Sequence, residues 1–200
     1  DLLDQRATLL ALQGDQAEAR RCLEKLAAGL ERMRERDHVR LAGVLERLAE
    51  VSADPIPLLA RALDELGDRD AELRARLLHN LGTARLAADD ATAVDDLTAA
   101  VAAASGELRL RALHNLAVAL EDDDPEAARA RYAEVLESAD GEQRRKSLAR
   151  LGRLEHRHGR FAAAAAAYTE AIALARDLGD VESATALGLW LGDAHSETIR

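Results

Sequence analysis

The stretches "RARLLHNLGTA" at Arg74–Ala84 and "RLRALHNLAVA" at Arg109–Ala119 repeat one pattern 35 residues apart. In each, Leu-His-Asn-Leu is preceded by arginines two and four residues before the Leu-His pair, and a small residue, Gly82 or Ala117, follows. Aligning Leu81-Gly82, Leu116-Ala117 and Leu151-Gly152 gives two successive steps of 35 residues, and Leu191-Gly192 follows after 40. Self-similarity at such a period marks an architecture in which one small structural unit recurs and buries its apolar faces against its neighbours.

Each Leu-Gly or Leu-Ala pair lies within a helical pattern, and a short polar break then leads to a second, alanine-rich helical pattern. The breaks are "AADD" before Ala91, "EDDDP" around Asp122–Pro125 and "HRHGR" before Phe161. Asp124 before Pro125 reads as an N-cap with proline at the first helical position, and Gly159 suits a turn. Small and large residues recur in the second helices as Ala93, Leu97, Ala100; Ala128, Tyr132, Val135; and Ala164, Tyr168, Ala171. A small residue with a large one four positions on lets two helices approach while one side chain fills the gap. The unit is therefore a helical hairpin. An ordinary bundle has no need of nearly identical hairpins, so the period favours a solenoid.

Composition agrees with this reading. Of 200 residues 48% are hydrophobic and only 2% aromatic, with three prolines; an excess of Ala, Leu, Arg and Glu favours helix. The formal charge of -10 argues against direct nucleic-acid binding, which needs a broad positive face. The lone Cys22 has no partner for an internal disulfide and reads as a small core residue. No signal peptide or apolar run of membrane-spanning length is visible, which makes a cytoplasmic location the expectation and a membrane partner unexpected. The chain opens on Asp1 and ends within a helical pattern, as a piece of a longer protein would. Lysine occurs only at Lys25 and Lys146 among 27 basic residues, a bias that fits a GC-rich bacterial genome.

The hairpin resembles the tetratricopeptide repeat (TPR), whose pattern has Leu-Gly at its seventh and eighth positions, Ala at the twentieth, an aromatic at the twenty-fourth and Ala at the twenty-seventh. The unit from Arg145 carries Leu151, Gly152, Ala164, Tyr168 and Ala171 at those places. "LGDAH" at Leu191–His195 is similar to the opening of another unit, and "QGDQAEARRCLEKL" at Gln13–Leu26 and "VLERLAE" followed by "DPIPLLARALDEL" are similar to earlier, less regular ones. The family's tryptophan at the fourth position and tyrosine at the eleventh are absent. The resemblance implies an all-α, right-handed α-solenoid of tandem helical hairpins, a TPR-like superhelix. It would be a single array over residues 1–200, of about five hairpins plus the first helix of a further unit.

The resemblance further implies that first helices line a concave groove and present their second, fifth, sixth and ninth positions to it. Arg76, Arg111 and Lys146 then stand at the second, His79 and His114 at the fifth, and Asn80, Asn115, Arg150 and Trp190 at the sixth. Asparagine both donates and accepts, matching an extended peptide unit, and arginine and lysine supply charge-assisted hydrogen bonds to carboxylates. From Gly141 to Arg160 seven basic residues, Arg153 among them, face only Glu142 and Glu155, whereas acidic residues gather near the turns. Asn115, Lys146 and Arg150 resemble part of the carboxylate clamp of chaperone-adaptor members, but His79 and Thr83 stand where that clamp has lysine and asparagine.

The residues expected to contact a peptide are Arg76, His79, Asn80, Thr83, Arg111, His114, Asn115, Lys146, Arg150, Arg153 and Trp190. The expected partner is a protein or peptide segment, acidic in character, of another protein or of the parent chain; such modules resemble those attached to bacterial multidomain regulators. The alternatives are a scaffold that self-associates through exposed ends and a sensor enclosing a small molecule. No Gly-rich phosphate loop, nucleophile elbow or paired-carboxylate motif occurs. His156 and His158 diverge on a helix, and His79 and His114 lack a Cys or carboxylate partner. The expectation is a non-enzyme without metal or cofactor.

Overall fold

The structure, a computed structural model, describes residues 2–199; the two ends of the expected array, Asp1 and Arg200, lie outside the described residues. Eleven α-helices and no strand occur among the described residues. They fall into two compact units that meet in sequence at Ala104 and Ser105. The N-terminal unit contains α1 (Leu2–Leu12), α2 (Gln16–Glu31), α3 (His38–Glu50), α4 (Ile56–Leu66), α5 (Ala71–Ala87) and α6 (Ala93–Ala103). The C-terminal unit contains α7 (Gly106–Leu120), α8 (Pro125–Leu136), α9 (Gly141–Arg157), α10 (Phe161–Asp177) and α11 (Val181–Ile199).

Helix limits follow from local chemistry. Asp15, Asp37, Asp70 and Asp124 each accept a backbone N–H three residues on, at 2.9–3.1 Å, so four helices begin on an aspartate cap. Pro125 sits just after Asp124, where its missing N–H costs no helical hydrogen bond. Gly159 turns the chain out of α9 with φ +71°, a left-handed conformation that costs glycine little. The short connections make consecutive helices neighbours, and within each unit every helix packs on the next.

The two helices of a hairpin approach most closely where glycine faces a large side chain. A Cβ added to Gly82 of α5 would stand 2.7 Å from Leu97 Cγ of α6, and one added to Gly152 of α9 would stand 2.6 Å from Tyr168 Cε1 of α10. The Leu-Gly pair is therefore a packing device: leucine fills the interior while glycine removes the atom that would hold the helices apart. Leu97 and Tyr168 are fully buried. One core of the N-terminal unit runs from Ala7 to Leu81 and includes Cys22. In the C-terminal unit, Ala117, Ala128, Tyr132 and Leu154 form one cluster, and Leu148, Tyr168, Leu187 and Ala194 belong to another.

These glycines are not equivalent to those of α11, where a Cβ at Gly188 or Gly192 would meet nothing within 4 Å. Gly152→Ala should destabilise the chain by about 1–3 kcal/mol, the usual cost of overpacking. Gly188→Ala should be neutral or stabilising by up to about 1 kcal/mol through helix propensity. Urea unfolding of the two variants checks this ordering, and equal effects would contradict it.

Candidate protein-interaction face

In the N-terminal unit the polar residues of α5 are tied to a buried carboxylate. Glu46 of α3, 5% exposed, accepts from Arg76 Nε at 2.9 Å and Nη2 at 2.8 Å, and from Asn80 Nδ2 at 3.0 Å. The guanidinium fork engages both carboxylate oxygens, and the amide takes a second lone pair on one of them. Burial and the nearby Glu46 charge hold the Glu50 carboxyl above its ordinary range. Thr83 is exposed and donates to the His79 carbonyl at 2.7 Å.

His79 itself differs from the expected groove ladder: it is only 3% exposed and lies in the interior. The reason is visible one hairpin earlier. Glu46 stands two residues before Leu48-Ala49, as His79 stands two before Leu81-Gly82, and Glu46 is directed into the seam between α3 and α5. His114, two before Leu116-Ala117, is likewise half-buried between α7 and α9, with Nδ1 2.9 Å from the Oγ of the fully buried Ser147. Its ring meets Tyr132 edge-on at 5.8 Å. This position is a helix–helix contact.

Burial, followed by the Arg150 and Lys146 charges, lowers the His114 pKa from 6.5 to about 4. The folded chain therefore holds this imidazole neutral at pH values where the unfolded chain protonates it. Its contribution is intact above pH 6.5, and stability is lost as pH falls from 6.5 toward 4. The loss is of the order of 3 kcal/mol at most, at about 1.4 kcal/mol per pKa unit. His114→Asn should lose less stability than wild type between pH 7 and pH 4.5 in urea titrations; parallel pH curves would contradict the assignment.

The C-terminal unit carries a second buried carboxylate, Glu121, 8% exposed. Tyr132 Oη donates to its Oε1 at 2.6 Å, Arg157 Nη2 donates to its Oε2 at 2.8 Å, and Arg150 Nη1 stands 3.8 Å away. Burial and the Glu121 hydrogen bond push the Tyr132 phenol well above its ordinary pKa. Arg157 also donates to Asp122 at 2.7 Å. Around these groups lies a half-open hollow of about 210 Å³, lined by Glu121, Arg150, Arg153, His156, Arg157 and Trp190. Trp190 is 45% exposed and meets His156 edge-on at 6.2 Å. His156 Nε2 is 3.1 Å from Asp193 Oδ2.

The structure thus brings Arg150, Arg153 and Trp190 together in one unit and joins Arg76 to Asn80 in the other. Arg111 and Lys146 are exposed, Lys146 standing 3.3 Å from Glu142, and Asn115 is half-buried. Glu46, Glu121, Ser147, His156 and Arg157 escaped the groove assignment. Glu46 was accessible through its place two residues before a Leu-small pair, and Glu121 through the need of a core tyrosine for an acceptor. Among the described residues there is no group of three or more His, Cys, Asp or Glu side chains arranged to hold a metal, and no helix long and apolar enough to cross a membrane.

No family model and no curated protein matches the chain. Solved structures do. A kinesin-light-chain-type protein of Podosopora anserina, built of nearly identical TPR-like repeats, aligns over 88% of this chain and 94% of its own at 19% identity with a TM-score of 0.74. MamA from Desulfovibrio magneticus RS-1 aligns over the same shares at 19% identity and 0.71. The TPR2AB domain of yeast Sti1, in complex with pHSP90, covers 96% of this chain and 84% of its own at 17% identity and 0.53. The chain has the tetratricopeptide-repeat fold, an all-α solenoid of helical hairpins.

The buried carboxylate of the N-terminal unit gives a direct stability test. Arg76→Ala leaves Glu46 with Asn80 as its remaining side-chain donor. Because the arginine is half-exposed, the expected loss is about 1–3 kcal/mol rather than that of a fully buried pair. Adding Glu46→Leu to Arg76→Ala should recover part of the loss in thermal unfolding; strictly additive losses would contradict the coupling.

Proposed function

We propose that the chain is a non-enzymatic protein-interaction module that receives a peptide segment on the first-helix face of its C-terminal unit. The observation that carries this reading is the hollow where Arg150, Arg153 and Arg157 of α9 meet Trp190 of α11. Arginine and tryptophan are the residue types that most often dominate binding energy at interfaces. Arg153 makes no ion pair among the described residues, so its guanidinium is available to a ligand. Lys146 and Arg111 extend the basic character along the exposed first helices, in a chain whose net charge is -10. The complex of the Sti1 TPR domain with pHSP90 supports a protein or peptide partner, and the cationic lining favours an acidic segment.

Asn115→Ala combined with Arg150→Ala should abolish capture of a partner by the wild-type chain while leaving helical content unchanged. Arg20→Ala on α2, an exposed residue paired with Glu24, should leave capture intact. Raising salt from about 0.1 to 0.5 M should weaken binding, since screening shortens the reach of the arginine charges. Pulldown with circular dichroism as the folding control measures both. Retention by the double variant would reject the face.

A scaffold reading is favoured by a different observation. Leu189 is 75% and Val181 73% exposed on α11, and Leu2 and Leu12 are 84% and 80% exposed on α1. Self-association through these helices would give a mass that rises with concentration and falls back to monomer in Leu189→Glu. Sedimentation equilibrium decides this: a constant monomer mass would dismiss the scaffold.

A further inference from the structure

Arg150, Arg153 and Arg157 succeed one another at steps of three and four residues, so α9 carries three guanidiniums on one face. They span roughly 10 Å of helix axis at 1.5 Å per residue. The hollow is lined by three arginines, His156 and Trp190, with Glu121 the one carboxylate in its wall. Glu121 is already committed, with one oxygen to Tyr132 and the other to Arg157. Arg150 approaches it only to 3.8 Å, beyond hydrogen-bond distance. Arg153 has neither an ion pair nor a hydrogen bond among the described residues. Donors therefore exceed acceptors, and the surplus belongs to two arginines.

Counting arginine and glutamate charges alone, the lining sets three positive groups against one negative, a sum of +2. Asp122 beside Arg157 and Asp193 beside His156 are 85% and 56% exposed, so solvent screens their share. A carboxylate offers two coplanar oxygens, which a single guanidinium fork saturates. A phosphate monoester carries about -1.5 to -2 at pH 7 and three acceptor oxygens pointing in different directions. Donors converging from several side chains suit the second group better. A neighbouring hollow of about 180 Å³ shares Arg153 and Trp190 and has Ala149, Ala186 and Leu187 in its wall. Arg145 and Ser183 also line it, so it offers a mixed seat, with an apolar wall, beside the cationic one.

We propose that the hollow binds the phosphoryl group of a phosphorylated side chain on a partner peptide. Arg153 and Arg150 donate to its oxygens, Glu121 holds the wall through Arg157 and Tyr132, and Trp190 lies against the adjoining apolar residue. The assignment rests on the reading of this unit as a peptide-binding face, which it narrows to one ligand chemistry.

Trp190 is the only tryptophan in the chain, so its fluorescence reports on this hollow directly. The 200-residue chain is titrated, by fluorescence and calorimetry, with short peptide libraries of random flanks around a fixed phosphoserine, glutamate or serine. Inorganic phosphate and N-acetylphosphoserine methylamide serve as free probes. The phosphoserine library should bind about tenfold or more tightly than the glutamate library, reflecting the added charge and oxygen. Arg153→Ala should remove that preference without changing helical content, and Arg153→Lys should restore only part of it because the fork is lost.

Equal affinity for phosphoserine and glutamate libraries would overturn the phosphoryl assignment while leaving peptide binding intact. A preference that survives Arg153→Ala would overturn the location. Free probes that bind as tightly as the best phosphopeptide would overturn the peptide reading and make the hollow a seat for a small phosphorylated molecule. No binding to any probe would overturn the proposal.

Discussion

The α5–α6 and α9–α10 hairpins depend on one steric constraint, the absence of a side chain where a large residue of the second helix comes closest. Gly82 under Leu97 and Gly152 under Tyr168 are positions at which even a methyl group would overlap its neighbour. With the helices in contact, the large residue of the second helix is sealed in the core, which favours a polar partner for a hydroxyl it carries; the Tyr132 hydroxyl has one and the Tyr168 hydroxyl has none among the described residues. Tyr132 illustrates the consequence: its hydroxyl emerges at the end of α7, where Glu121 accepts it. A packing requirement thereby fixes a carboxylate, and the carboxylate fixes an arginine.

Buried carboxylates recur as the organising polar groups. Glu46 gathers Arg76 and Asn80, Glu121 gathers Tyr132 and Arg157, and Glu155, 3% exposed, accepts from Arg129 and Arg160. Such pairs add little net stability over apolar packing, yet an acid left without its partners in the interior is costly. Their effect is geometric: they divide the basic residues of the first helices into those held by the fold and those left over. Arg76 and Arg157 belong to the first group and Arg153 to the second. Only the second can respond to a ligand without giving up an internal contact.

The fold was largely legible because its signals are local and periodic. The 35-residue step, the Leu-small pairs and the alternation of small with large residues each report a contact between helices close in sequence. The Asp-Pro pair at 124–125 and Gly159 marked turns for equally local reasons. The polar face was harder to read, since whether a helix residue faces solvent or the next hairpin changes with a rotation of one position. His79 and His114 were assigned to the groove from their place in the repeat, but the one is buried and the other half-buried in contacts between helices. Glu46 and Glu121 were missed because their arginine partners lie 30 and 36 residues away, at distances that only the stacked hairpins bring together, although Tyr132, 11 residues from Glu121, offered a local signal for it. Trp190 and Arg153, assigned to the groove by the same reasoning, stay exposed.

The central claim is that a partner meets the face formed by α9 and α11 and not the second-helix side. A photoreactive benzoylphenylalanine placed at the exposed Ala186 of α11, beside Arg153 and Trp190, and separately at Arg176 on α10, tests it in the presence of the captured partner. The proposal predicts a crosslinked adduct from position 186 and none from position 176. An adduct from position 176 alone would contradict the account and move the binding surface to the other side of the hairpin.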